Sequence, residues 1–188
     1  MRENNYFTVS HRLLHWTIAL IMLFVLLTVF LRMGWMEKNH MADLIIITLS
    51  KFDISVTHEI AIKVAKSIRN IMFEWHIYAS YLLCGLFILR LVNIKKSGIS
   101  YISPFNKTAT SREKFQAWAY ISFYGILGLI LMTGLLLKFG PKSIEDIAKE
   151  IHVLALWYFI PFITIHLMGI VLAEQKEEKG IVSKMIGG

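Results

Sequence analysis

Histidine is the residue type whose placement most suggests chemistry, because four of the seven copies fall in stretches that are otherwise uncharged and apolar. The four are His15, His76, His152 and His166. Imidazole binds metal ions and carries protons, and an ionisable group within a membrane is costly and usually faces a partner inside the protein. His11 lies four residues before His15, whereas His40 and His58 fall in a connection where we expect exposure to solvent.

Four long uncharged runs carry or separate these histidines. The runs are residues 13–31, 75–89, 115–137 and 151–173. The chain is 56% apolar and 18% charged, with a mean hydropathy of +0.57, which is unusual for a water-soluble domain. A bilayer core of about 30 Å needs roughly 20 helical residues. We therefore predict four transmembrane helices, at about 12–32, 72–93, 114–138 and 151–174.

The predicted fold is all-α: one membrane-embedded domain over residues 1–188, in which the four helices form a bundle. The first helix is too long for a signal-peptide core and lacks a small-residue cleavage site, so we expect it to be retained. The connection over residues 33–74 contains two stretches, ADLIIITL and THEIAIKVAKSIRNIM. Their pattern predicts short amphipathic helices at the outer membrane interface.

The distribution of charge predicts the orientation. With a cytoplasmic N-terminus, the inner side carries eleven basic and five acidic residues, and the outer side carries nine and eight. Basic residues concentrate on the cytoplasmic side of membrane proteins, so we predict that both termini are cytoplasmic. The net charge of +7 then reflects topology and does not indicate a nucleic-acid partner.

Helical spacing arranges the four histidines in two pairs. His152 and His166 are 14 residues apart, which on a continuous helix places them within about 40° of one face and roughly 21 Å apart along the axis. His15 lies at the cytoplasmic end of the first predicted helix, and His76 lies at the outer end of the second. Depth therefore pairs His15 with His166 and His76 with His152.

Two facing pairs of imidazoles are typical of low-spin haem b, whose flat apolar ring fits between helices and whose iron takes one imidazole from each side. The candidates that would neutralise the haem propionates are Arg12 and Arg90 on the inner side and Arg69 or Lys142 on the outer side. Glycines would allow close approach of a haem or of another helix; the candidates are Gly85, Gly125, Gly128 and Gly134. His11 competes with His15 because the two share a helix face, and we prefer His15 because it lies deeper.

Other interpretations of the histidines predict different properties. A single membrane histidine can simply bond to a neighbouring carbonyl, but this does not explain two pairs matched in depth. A proton-coupled transporter that uses histidine relays would be colourless and would carry repeats or broken helices. We find no internal repeat in the sequence. A structural membrane anchor would not need matched histidines, and no intramembrane carboxylate completes a non-haem metal site.

Four stretches resemble the bacterial cytochrome b561 family, which includes b-type cytochrome subunits of nickel-iron hydrogenases and formate dehydrogenases. They are HRLLHWTIAL, EWHIYASYLLCGLFILRLV, LMTGLLL and IHVLALWYFIPFITIHLMGIVLAE, in the first to fourth predicted helices. The resemblance covers roughly residues 8–175 and rests mainly on the order of the histidines. It implies a bacterial inner-membrane protein with two b haems, ligated by His15 with His166 and by His76 with His152.

Two stacked haems imply electron transfer between the two leaflets. The resemblance implies quinone or quinol as substrate and a periplasmic or membrane redox protein as partner, which the 33–74 connection could dock. Candidates for proton exchange with quinone are His11, Lys95 and Lys96 inside and His58, Lys63 and Glu74 outside, with ordinary exposed charge as the competing interpretation. The alternative is a stand-alone superoxide oxidase that reduces quinone, although the nearly balanced outer charge favours the relay. The sequence leaves open whether the chain forms a homodimer.

Overall fold

A computed structural model describes residues 8–96, 103–176 and 180–187, and most of these residues are helical. The helices are α1 (Val9–Met33), α2 (Lys38–Ser50), α3 (His58–Lys96), α4 (Ser111–Phe139), α5 (Glu145–Val153), α6 (Ala155–Lys176) and α7 (Ile181–Ile186). A 3-10 turn over Lys142–Ile144 leads into α5. No β-strand occurs in these ranges. The predicted all-α class is confirmed.

Four helical stretches of the described chain are long and apolar enough to cross a membrane: Val9–Met33, His58–Lys96, Ser111–Phe139 and Lys142–Gln175. Many of their large apolar side chains are exposed, among them Leu20 at 62% and Met168 at 59%. Such extensive apolar exposure suits a lipid environment, whereas on a soluble monomer it would promote aggregation. The prediction of four spans is confirmed, and the protein is a multi-pass membrane protein.

Side-chain caps fix the starts of two helices. Thr110 and Glu113 form a capping box at α4, in which the Thr110 hydroxyl accepts from the Glu113 N–H and the Glu113 carboxylate accepts from the Thr110 N–H. Glu37 caps α2 by accepting from the backbone N–H groups of Asn39 and His40. Those hydrogen bonds, the His40 one foremost, hold the pKa of the Glu37 carboxyl below its usual range.

Helix α3 is much longer than the sequence predicts. Residues 57–72 were expected to form a separate interfacial helix, but they continue without a break into the second span, to give 39 residues in one helix. No glycine or proline lies between Thr57 and Cys84, so nothing interrupts the helical hydrogen bonds. At 1.5 Å per residue this helix is roughly 58 Å long. It therefore extends far beyond the hydrocarbon layer.

The fourth predicted helix is broken, which corrects the expectation of a continuous helix over 151–174. Helix α5 ends at Val153 and α6 begins at Ala155, with Leu154 between them. The backbone tightens here because the Leu154 N–H bonds to the Ile151 carbonyl, three residues back. His152 and His166 consequently belong to different helices. Pro161 lies inside α6, seven residues after the break.

Contacts between Cα atoms group the chain into two units. Trp16–Gly85 forms one unit, and the chain before and after it forms the other. Small residues occupy many of the buried positions in both, with Ala61 and Ala65 fully buried in the first and Ala117 and Ala148 nearly so in the second. Small side chains allow helix backbones to approach closely, which is a common way for membrane helices to pack.

Candidate functional site

The imidazole rings of His15 on α1 and His166 on α6 lie side by side. Their centroids are 6.2 Å apart and their planes are inclined by 52°. Phe162, one turn before His166, stacks against the His166 ring with a centroid separation of 6.1 Å and planes 4° apart. The structure thus brings together two histidines that the sequence pairs by depth.

Arg90 of α3 is 5% exposed and binds to residues of α1 and α4. Its Nη1 donates to the carbonyl oxygen of His11 at 3.3 Å, its Nη2 lies 3.1 Å from His11 Nε2, and its Nε donates to the Tyr124 hydroxyl at 3.2 Å. A guanidinium has only donors, so His11 Nε2 must accept. The charge of Arg90 also acts on His15. Arg90 and the histidines of α1 therefore form one polar cluster.

His76 of α3 is 8% exposed and is held on two sides within its unit. Its Nδ1 lies 2.9 Å from the hydroxyl of Thr28 on α1, and that hydroxyl lies 2.6 Å from the carbonyl oxygen of Val25. Phe73 stacks on the His76 ring at 4.6 Å with planes 6° apart. The guanidinium of Arg32 lies over the Phe73 ring, 4.0 Å from its centroid.

His152 of α5 is held by α4. Its Nδ1 lies 3.1 Å from the carbonyl oxygen of Ile130 and 3.3 Å from the hydroxyl of Thr133. The Thr133 hydroxyl itself donates to the Ile130 carbonyl at 2.9 Å. A methyl group added at Gly134 would lie 3.1 Å from Cε1 of the His152 ring. Glycine at this position therefore allows the ring to lie close against α4.

The comparison with known families identifies the class of protein. The family described as prokaryotic cytochrome b561 matches residues 6–188. The chain belongs to the prokaryotic cytochrome b561 family. Searches of curated proteins and of solved structures gave no significant match. Membership confirms the resemblance of the four stretches, and it assigns to this membrane protein electron transfer across the bilayer through haem b.

The spacing of His15 and His166 fits a b-type haem. A metal–imidazole bond is about 2 Å long and the ring centroid lies roughly 1 Å beyond the nitrogen, so one ion between two imidazoles needs a centroid separation of about 6 Å. The observed 6.2 Å meets this requirement. His166 is also exposed within an apolar span, so its ring is accessible to a flat ligand.

Basic side chains of this cytochrome b561 suit haem propionates. The Nε atoms of Arg12 and Arg69 are buried and have no hydrogen-bond partner among the described residues. Arg32 and Arg69 are both basic and belong to the same unit of the chain, so an anion bound beside them would be stabilised. Arg12 also donates through Nη1 to the Ile186 carbonyl at 3.5 Å. Lys142 lies exposed in the 3-10 turn.

The glycines predicted to admit a haem or a helix differ in their surroundings. A methyl group at Gly85 or Gly125 would meet nothing within 4 Å among the described residues, and one at Gly128 would make ordinary contact with Phe87 at 3.4 Å. Gly134 alone of the four approaches a candidate ligand, His152.

Three of the six candidates for proton exchange with quinone have other partners. His11 accepts from Arg90, His58 lies 3.8 Å from the Asp43 carboxylate, and Lys63 lies 2.7 Å from Glu59. Lys95, Lys96 and Glu74 are exposed.

An apolar cavity of about 480 Å³ lies between the end of α3, residues 103–105 and α4. Its lining includes Ile94, Phe105, Ala117, Tyr120 and Tyr124. Tyr124 connects the cavity to Arg90 through the hydrogen bond from the guanidinium. The volume lies in the range of small-molecule sites, and a few hydroxyl groups in an apolar wall are typical of them.

Sequence reasoning missed Thr28 and Phe73, which contact His76, Arg32, which lies over Phe73, and Thr133, which contacts His152. Thr28 and Thr133 are polar residues in apolar runs, which is a weak signal because membrane threonines commonly bond to their own helix. Only the rotation of each helix shows which threonine also reaches an imidazole.

Proposed function

We propose that this cytochrome b561 holds two haems b, one between His15 and His166 and one between His76 and His152, and passes electrons across the membrane between the quinone pool and a redox partner. The 6.2 Å separation of the His15 and His166 rings is the observation that carries the proposal. One metal ion between the two imidazoles accounts for this separation, and for the presence of two ionisable groups within apolar spans.

Hydrogen bonds support His76 and His152 as the second ligand pair. In each ring Nδ1 is directed to an oxygen of a neighbouring helix, Thr28 for His76 and Ile130 or Thr133 for His152. Histidine ligands commonly use one ring nitrogen for the metal and the other for such a hydrogen bond. The pairing of these two residues rests on their depth in the sequence.

The side chains around the candidate ligands are proposed to orient the imidazoles and to balance the charge of the haem propionates. Arg12 and Arg90 are proposed to offset propionate charge beside His15 and His166, and Arg32 and Arg69 beside His76. Haem b, when bound, supplies one-electron transfer. Apolar residues exclude water around the imidazoles, and this raises the influence of each buried charge on the reduction potential.

Quinone is the proposed small-molecule substrate, and the apolar cavity bordered by Tyr120 and Tyr124 is its proposed entry from lipid. The cavity accepts an apolar molecule, while the Tyr124 hydroxyl and Arg90 offer polar contacts at one corner. The excess of basic residues on the predicted inner side supports a bacterial inner-membrane location with both termini in the cytoplasm.

Haem stoichiometry tests this proposal. We would purify the wild-type protein and the His76→Ala, His166→Ala and His40→Ala variants, and quantify haem by pyridine haemochrome and reduced-minus-oxidised spectra. His40 is exposed on α2 and serves as the matched control. We expect two haems b in the wild type and in His40→Ala, and one in each ligand variant. A colourless wild type, or full haem content in both ligand variants, would contradict the proposal.

A further inference from the structure

We infer that Thr28 and Thr133 are positioning residues. Thr28 fixes the tautomer of His76, Thr133 shares that role at His152 with the Ile130 carbonyl, and Nε2 of each ring is then the nitrogen that would bind the haem iron. The inference rests on the proposed function and extends it to residues outside the ligand set. It concerns two hydroxyl groups that have the same local arrangement on different helices, α1 and α4.

Thr28 determines the proton position on His76. The Thr28 hydroxyl has a single proton, and a distance of 2.6 Å to the Val25 carbonyl oxygen places that proton between the two oxygens, because a carbonyl can only accept. The Thr28 oxygen must therefore accept from His76, whose Nδ1 lies 2.9 Å away. His76 thus carries its proton on Nδ1. Thr28 is 3% exposed, so water does not compete for this bond.

Thr133 takes part in the equivalent arrangement at His152. Its hydroxyl donates to the Ile130 carbonyl at 2.9 Å, so it also accepts from His152 Nδ1, at 3.3 Å. Here the Ile130 carbonyl is a second acceptor for the same Nδ1, at 3.1 Å. His152 is therefore held by two oxygens, one of which would survive the loss of Thr133.

Loss of the Thr28 hydroxyl and loss of the Thr133 hydroxyl should change the reduction potential of the haem iron by different amounts. An Nδ1–H that donates to an oxygen makes the opposite nitrogen a better electron donor, which favours the ferric state and lowers the reduction potential. Hydrogen bonds in a chain strengthen one another, and both imidazoles here begin such a chain. Loss of the Thr28 hydroxyl removes the acceptor that fixes the tautomer of His76, whereas loss of the Thr133 hydroxyl leaves His152 with the Ile130 carbonyl.

Valine substitutions test the inference, since valine keeps the branched shape of threonine and removes the hydroxyl. We would compare full-length Thr28→Val, Thr28→Ser and Thr133→Val with Thr164→Val, using haem affinity of the haem-depleted protein, redox titration and the electron paramagnetic resonance of the ferric form. Thr164 is the matched control because its hydroxyl also bonds to its own helix, at the Ile160 carbonyl, and contacts no imidazole in the described residues.

We expect Thr28→Val to weaken the binding of one haem by about 10- to 100-fold and to shift the potential of that haem upwards. Thr133→Val should produce a smaller shift in the same haem, and Thr28→Ser should restore wild-type behaviour. The inference is overturned if Thr28→Val matches Thr164→Val in affinity, potential and resonance. If Thr28→Val does not fold, equality of Thr133→Val and Thr164→Val overturns it. A wild type without two haems would instead overturn the proposed function.

Discussion

The cluster around His15 and His166 differs from the surroundings of His76 and His152 in the kind of interaction that holds the imidazoles. In the cluster a buried guanidinium, Arg90, acts on His15 and binds to His11. His76 and His152 are held through Nδ1 by uncharged oxygens of threonine hydroxyls and, for His152, a carbonyl. The first pair thus has a cation among its direct interaction partners. The direct hydrogen-bond partners of His76 and of His152 are neutral, and the cation Arg32 lies over Phe73, which stacks on His76.

This difference has a consequence for electron transfer. A nearby positive charge opposes the ferric state and raises the reduction potential, whereas an oxygen acceptor on Nδ1 lowers it. We therefore expect the haem of the His15–His166 pair to have the higher potential and the haem of the His76–His152 pair the lower one. Two unequal potentials would give electrons a preferred direction between them.

The largest expected effect comes from removing one ligand from each region. His166→Ala should abolish the higher-potential component of a redox titration, and His76→Ala should abolish the lower-potential component, because each removes one of only two ligands to an iron. Spectroelectrochemical titration of the reduced band measures both. Loss of the same component in both variants would contradict two separate sites.

Gly134→Ala should weaken the His76–His152 haem alone. The added methyl group would lie 3.1 Å from Cε1 of His152, so the ring must move by a few tenths of an ångström. We expect about tenfold weaker haem binding, at the lower end of effects seen for residues behind a ligand. Gly125→Ala on the same helix is the control, since a methyl group there meets nothing within 4 Å in the described chain. Equal haem titrations for the two variants would show that His152 does not bind haem in this position.

Arg90→Met should alter the charged region alone. The variant removes a buried cation from beside His15 and leaves the acceptors of His11 without their donor, so the potential of the His15–His166 haem should fall. Unsatisfied buried acceptors cost about 1–3 kcal/mol, which we expect as a loss of stability. Redox titration and thermal unfolding measure the two effects.

Lys95→Met is the control for Arg90→Met, because Lys95 is an exposed cation near the end of the same helix. The comparison between charged and neutral regions fails if the potential moves equally in both variants, or if the lower-potential haem moves instead.

Composition and residue spacing were sufficient to predict the four membrane spans and the proximity of His15 to His166. Uncharged runs of about 20 residues are long enough to cross the bilayer, and depth along a helix follows from residue number alone. The break at Leu154 was not predictable, since no glycine or proline marks it. The continuation of α3 through residues 57–72 was missed because an amphipathic pattern does not show whether a helix turns away at the membrane surface.

The contacts of Thr28 and Thr133 with imidazoles could not be predicted from the sequence, for a different reason. Thr28, Thr133 and Thr164 all bond to a carbonyl of their own helix, as threonine commonly does. Only the first two also meet an imidazole, and this depends on how α1 and α4 are rotated towards the other helices. Local sequence determines the first bond, and packing determines the second.

Tyr124→Phe should have the smallest effect and would show how far the charged region extends. Its hydroxyl accepts from Arg90 Nε and borders the apolar cavity, so its loss should destabilise the fold by about 1 kcal/mol and slow oxidation of the reduced cytochrome by a soluble quinone a few-fold. Tyr158→Phe, which loses only a bond to the Ser122 hydroxyl, is the control. The reduction potential of the His15–His166 haem should change less in Tyr124→Phe than in Arg90→Met. A slower quinone reaction confined to Tyr124→Phe would therefore reflect contact between quinone and the cavity beside Arg90. An unchanged rate would mean that Tyr124 serves only to hold Arg90, and that quinone reacts elsewhere.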